Sequence, residues 1–72
     1  MNNLVKMLFV AVNKQTGIVV FAETNLKAFV EGCKSKIGLI QSVSYYRVKF
    51  KEQEVLYHTD NFGRQFILQK VK

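Results

Sequence analysis

"YYRVKFK", Tyr45 to Lys51, is the stretch that decides how this chain is read. Arg47, Lys49 and Lys51 alternate with residues of high β propensity, and that alternation predicts a strand with two unlike faces. On a strand, alternate residues lie about 6.7 Å apart, so the cations and Tyr45 form a row. Two like charges at that spacing repel in bulk water by only about 0.6 kcal/mol. The row can therefore stand alone as a solvated face or a charged edge. It can also neutralise phosphates while Tyr45 stacks on a base, as single-strand binders do on sheet platforms.

Outward from this stretch, the C-terminal third reads as three strands: Val43 to Lys51, Val55 to Thr59, and Arg64 to Val71, separated by "EQE" and "DNFG". If both loops hold an even number of residues, Phe50 faces Val55 and Leu68, Val48 faces Tyr57 and Phe66, and Tyr46 faces Thr59 and Arg64. That face is mostly apolar and predicts the interior. The reverse face carries Tyr45, Arg47 beside His58 and Gln65, Lys49 beside Leu56 and Ile67, and Lys51 beside Glu54 and Gln69. The candidate binding residues for nucleic acid or another partner are Tyr45, Arg47, Lys49, Lys51, Leu56, His58 and Ile67 of this face, with Arg64 and Lys70 as further cations.

The N-terminal half is differently patterned. "LVKMLFVAV", Leu4 to Val12, is almost continuously apolar and suits a strand buried on both faces. "NKQTG" supplies turn chemistry ending at Gly17, and "IVVFAE" returns as a second strand. From Thr24 the period becomes helical, with Leu26, Phe29, Val30, Cys33 and Ile37 on one side and Lys27, Glu31 and Lys34 on the other. Thr24 or Asn25 can cap this helix, and Gly38 can end it in the left-handed conformation. Lys34 and Lys36 stand near the negative end of its dipole. Gly32 weakens the helix by about 1 kcal/mol relative to alanine.

These elements predict an α+β fold in a single domain spanning 1–72, in the order β-β-α-β-β-β. One helix packs on a curved, mainly antiparallel sheet. Five strands make a sheet about 24 Å wide, whereas one helix covers roughly 10 Å. The sheet must then curl toward a barrel or be covered by another chain, so a homodimer is expected.

Composition narrows the function. Seventy-two residues lie near the lower limit for a self-sufficient core, but a hydrophobic content of 49% is too high for intrinsic disorder. Eleven Lys and Arg against five acids give a net charge of +6, which favours anionic partners. The lone Cys33 can form no internal disulfide, and no leader-like pattern opens the chain. The longest uncharged apolar run, Met7 to Val12, is too short to cross a bilayer. A cytoplasmic protein without a membrane span is the expectation.

Chemistry is sparse. Cys33 lies on the apolar helix stripe and His58 is the only histidine. The carboxylates are dispersed, and neither metal-ligand spacing nor a Gly-rich phosphate loop is present. No catalysis, cofactor or metal is expected. Two functions fit: a noncatalytic module for nucleic acid or a nucleotide, or a regulator or inhibitor docking on a host protein through the mixed face or a sheet edge. In composition, short, rich in Lys, Asn and Phe and without Trp or Pro, the chain resembles small accessory proteins of phages and plasmids from AT-rich bacteria. That resemblance implies an accessory or host-directed binding role and assigns no residue.

Overall fold

A computed structural model describes residues 7–71; residues 4–6 of the expected first strand lie outside them. The N-terminal hairpin forms as its turn chemistry predicts, from β1 (Leu8–Asn13) and β2 (Val19–Glu23). Asn13 organises the turn: its Oδ1 accepts the N–H groups of Gln15 and Thr16 at 2.9 and 3.1 Å. Gly17, at φ 73°, closes it with an N–H to the Asn13 carbonyl at 2.7 Å. Val20 has no partner on β1, because Ala11 pairs with Phe21 while Val12 pairs with Val19, a bulge that twists the edge.

Helix α1 (Leu26–Ile37) also matches its pattern. Asn25 is its cap, with Oδ1 accepting the Ala28 N–H at 3.0 Å, and Gly38 at φ 73° ends it. Phe29, Val30, Cys33 and Ile37 are buried, and Lys27, Glu31 and Lys34 are exposed.

The next segment departs from expectation. Val43–Glu52 is a second helix, α2, and not a strand. Ser42 caps it, its Oγ accepting the Tyr45 N–H at 3.1 Å, and Tyr46 and Phe50 form its buried side. A spacing of four suits one face of a helix and one face of a strand alike, so this buried pair fits both readings. Val48, between them, separates the readings: a strand would bury it, and here it is 55% exposed.

The chain finishes with β3 (Val55–Thr59) and β4 (Gln65–Val71). All pairs are antiparallel in the order β2-β1-β4-β3. The α+β class stands, with four strands and two helices among the described residues in place of the expected five strands and one helix. The parity of β3 is also reversed from expectation. Tyr57 pairs with Ile67 and His58 with Phe66, because Thr59 and Gln65 enclose an odd number of residues. Gly63, at φ 80°, supplies the left-handed step that closes this turn. Its N–H donates to the Asp60 carbonyl at 3.1 Å, and the Asp60 N–H donates to the Arg64 carbonyl at 3.0 Å.

Both helices lie on one face of the sheet. The Phe9 ring of β1 lies 5.7 Å from Phe29 of α1 and 5.4 Å from Phe50 of α2. Around it Ala11, Val30, Cys33, Leu39, Phe66 and Leu68 complete the core. The Phe21 ring stacks on Phe29 at 6.1 Å and also lies against Gly32, where an added Cβ would fall inside its van der Waals envelope. The helix-weakening glycine thus makes room for Phe21.

Gly32→Ala is accordingly expected to destabilise the fold by about 1 to 3 kcal/mol through overpacking, despite the better helix propensity of alanine. In a Phe21→Ala background the same change should stabilise by about 1 kcal/mol. Urea denaturation of the two pairs reads the sign. Destabilisation in both backgrounds would show that this contact does not explain the glycine.

Candidate functional site

Folding Tyr45 to Lys51 as a helix breaks the expected cationic row. At about 100° per residue, Arg47 and Lys51 stand one turn apart on the same side, whereas Lys49 is turned well away from both. The predicted site residues accordingly fall into separate places. Arg47, Lys51 and Lys70 line a pocket of about 420 Å3 whose apolar lining includes Phe9, Leu26 and Phe50; no carboxylate lines it. Tyr45, Lys49, Leu56 and His58 line a second groove, of about 510 Å3, between α2 and β3. Arg64 is in the β3–β4 turn, and Ile67 faces away from the helices, opposite Tyr57. The mixed apolar and basic face expected from strand parity does not form.

Several of these polar groups already have structural partners. The Lys70 ammonium donates to the Phe50 carbonyl at 2.7 Å, satisfying a carbonyl in the last turn of α2. His58 contacts the Ile37 carbonyl through Nε2 at 2.7 Å. Because a carbonyl only accepts, Nε2 carries the proton and the ring is held at the end of α1. Its ring stacks on Phe66 at 6.4 Å. Lys49 lies over the Tyr45 ring at 5.6 Å, and Arg64 pairs with Asp60 at 2.6 Å. Arg47 and Lys51 remain exposed.

Charge separates by layer. Helix α1 carries Lys27, Lys34 and Lys36 against Glu31, and α2 carries Arg47, Lys49 and Lys51 against Glu52. Among the described residues, the strands and their turns balance Lys14, Arg64 and Lys70 with Glu23, Glu54 and Asp60. Among the described residues the excess positive charge therefore sits on the helical layer. The opposite face of the sheet is built from Val10 and Val12 of β1, Ile67 of β4 and Tyr57 of β3, paired across the strands. Sequence patterning missed this division, because it placed α2 inside the sheet.

Backbone alternation also leaves an open edge. The 2.8 Å bond from the Lys70 N–H to the Glu54 carbonyl and the Asp60–Arg64 bond fix the ladder phase. Leu56 and His58 thus bond toward β4, while the backbone groups of Val55, Tyr57 and Thr59 point outward.

Reactive chemistry is restrained. Burial pushes the Cys33 thiol up to about 12, against a smaller opposing pull from Lys36, so it is a packed thiol and not a thiolate. Burial likewise raises the Tyr46 phenol, with smaller contributions from Tyr45 and Cys33, opposed by a hydrogen bond with the Gln41 backbone. Asp60 shows the contrary balance. Desolvation raises its carboxyl, but the Arg64 N–H, the Arg64 side chain and the Phe62 N–H together hold it below the usual range. Among the described residues no cluster of three or more His, Cys, Asp or Glu could hold a metal ion. No described helix is long and apolar enough to cross a membrane. Comparison with protein-family models, curated proteins and solved structures returns no match.

Two outcomes follow from these environments. Cys33 should resist thiol reagents in the native state and label at a rate set by opening of the core; prompt labelling at neutral pH would contradict its burial. The lowered Asp60 pKa makes its contribution complete above the ordinary carboxylate value of about 3.9, and lost as pH falls through the lower folded value. Asp60→Asn should therefore destabilise the neutral protein and flatten the acid limb of its stability profile, measured by urea titration at several pH values.

Proposed function

We propose that this chain is a noncatalytic module that binds nucleic acid through its helical layer. The observation that carries the reading is the placement of the excess cations on α1 and α2, with Arg47 and Lys51 exposed one turn apart. Each strand of a duplex presents a negative charge about every 3.4 Å along the axis. Cations spread over two helices suit such an array better than a single nucleotide, which would need them to converge. Arg47 and Lys51 are the principal phosphate contacts, with Lys27 and Lys34 extending the surface. Lys70, committed to the Phe50 carbonyl, contributes through its field.

Two packed helices are about 20 Å across, wider than a major groove of about 12 Å. The layer therefore lies over the backbone instead of inserting into the groove, and binding is tolerant of sequence. Tyr45, 42% exposed near the start of α2, would stack on an unpaired base, which favours single strands or frayed ends. The lone, free Cys33 suits a reducing cytoplasmic setting.

A second reading, an accessory regulator or inhibitor that docks on a host protein, is favoured by the outward backbone of Val55, Tyr57 and Thr59. An extended segment can add to such an edge beside the Tyr45, Lys49 and His58 groove. A partner retained after nuclease treatment and in high salt would support this reading.

Fluorescence anisotropy against labelled single strands and duplexes tests the main proposal. Affinity should fall steeply with salt, and Arg47→Glu combined with Lys51→Glu should lower the slope of log K against log salt by about two. Absence of binding at low salt, or binding unchanged in the double variant, would reject it.

A further inference from the structure

The nucleic-acid reading leaves one large feature unused: the sheet face opposite the helices. Alternation sends Leu8, Val10, Val12, Ile67, Tyr57 and Val71 to this side. The polar residues that join them are the uncharged Thr59, Gln65 and Gln69; none of the described side chains that regular pairing places here is charged. Tyr57 is 71% exposed, and the Lys14 ammonium lies over its ring, 5.8 Å from the centroid, so one cation reaches the β3 side of this face. In a chain with net charge +6, a face without charge at its centre is a selective exclusion.

We propose that this face packs against the same face of a second copy, giving a dimer of stacked sheets with the helices outside. Charge selects the occupant. Copies that met through their helices would bring like-charged layers together. Copies that meet through their sheets keep those layers apart by two sheet thicknesses, about 30 Å between helical layers. That is nearly four Debye lengths, of about 8 Å each, at physiological salt, so the repulsion is largely screened. Aligned sheets pack about 10 Å apart with aliphatic side chains interdigitated, and Val10, Val12 and Ile67 have suitable size at the centre.

Area sets the strength. Four strands, each about 5 to 7 residues long, project roughly 400 Å2 per copy. A pair covers about 800 Å2 in projection, below the roughly 1,200 Å2 at which stable specific interfaces begin and in the range of weak, transient contacts. The dimer should therefore dissociate on dilution. Its two basic layers face in opposite directions, so, resting on the nucleic-acid reading, the dimer would bridge two strands instead of gripping one more tightly.

Sedimentation velocity of the free protein tests the dimer without nucleic acid. The expected result is a concentration-dependent monomer–dimer equilibrium that persists in high salt, with dissociation constant raised at least tenfold by Ile67→Lys and by Tyr57→Lys. Circular dichroism checks that each variant folds. Val10→Cys should also give an intermolecular disulfide under oxidation, since native Cys33 is buried. A monomer at millimolar concentration, or a dimer unaffected by both folded lysine variants, would overturn the proposal. Capture of a fluorescent duplex by a bead-bound duplex tests the consequence. Dimerisation with no capture would reject bridging and leave the sheet interface standing, whereas duplex binding by a strict monomer would reject the interface alone.

Discussion

Phe9 is the contact on which the architecture depends. It sits on a central strand, and its ring meets Phe29 of one helix and Phe50 of the other, at 5.7 and 5.4 Å. Because the two helices meet the same ring, they must occupy the same side of the sheet. Everything asymmetric about the molecule follows: the lysines and arginine of α1 and α2 gather on that side, while the opposite side is left to valine, isoleucine and tyrosine. Offset or edge-on aromatic pairs add about 0.5 to 1.5 kcal/mol each beyond their buried area. In a small domain, where total stability is itself only several such increments, that is a substantial share.

The elements that could be read from sequence are those in which local and tertiary signals agree. In α1, the helical stripe from Leu26 to Ile37, the Asn25 cap and the Gly38 terminator all point to one structure. The first hairpin is equally consistent, from the Asn13 turn to Gly17. Tyr45 to Lys51 is different, because its aromatic and β-branched residues favour a strand and its buried pair, Tyr46 and Phe50, satisfies either period. What resolves it lies mostly outside the segment. Ser42 supplies a cap, Lys49 and Lys51 suit a helix C-terminus, and the Phe9 ring offers Phe50 a seat that only the folded sheet provides. Tertiary packing overrides a weak local preference here.

The candidate binding residues proved harder to read than the elements. Arg47 and Lys51 remain neighbours, because a spacing of four keeps residues on one side in either structure, but Lys49 leaves them for the Tyr45 ring. On β3 a single extra residue in the turn, made possible by Gly63, exchanges the faces of Tyr57 and His58. His58 thereby reaches the Ile37 carbonyl at the end of α1, a structural role that no local pattern announces. Turn length and φ sign at one glycine thus decide whether a residue caps a helix or meets a partner.

The division of faces also bears on why so short a chain can fold. Packing both helices on one side concentrates Phe9, Phe29, Phe50, Phe66 and Leu68 into a single dense cluster instead of spreading them over two thin layers. That arrangement secures the core at the expense of the other face, whose apolar side chains stay partly in water. Contact at that face removes further apolar surface from water without disturbing the core. The proposed binding there, which requires the folded state, would add stability by mass action. The same packing that leaves the outer face uncovered also carries six of the described cations to the far layer on the helices, so that none of the described side chains paired across the outer face is charged. Core formation, charge placement and the capacity for a second contact are therefore consequences of one choice, both helices on one side of the sheet.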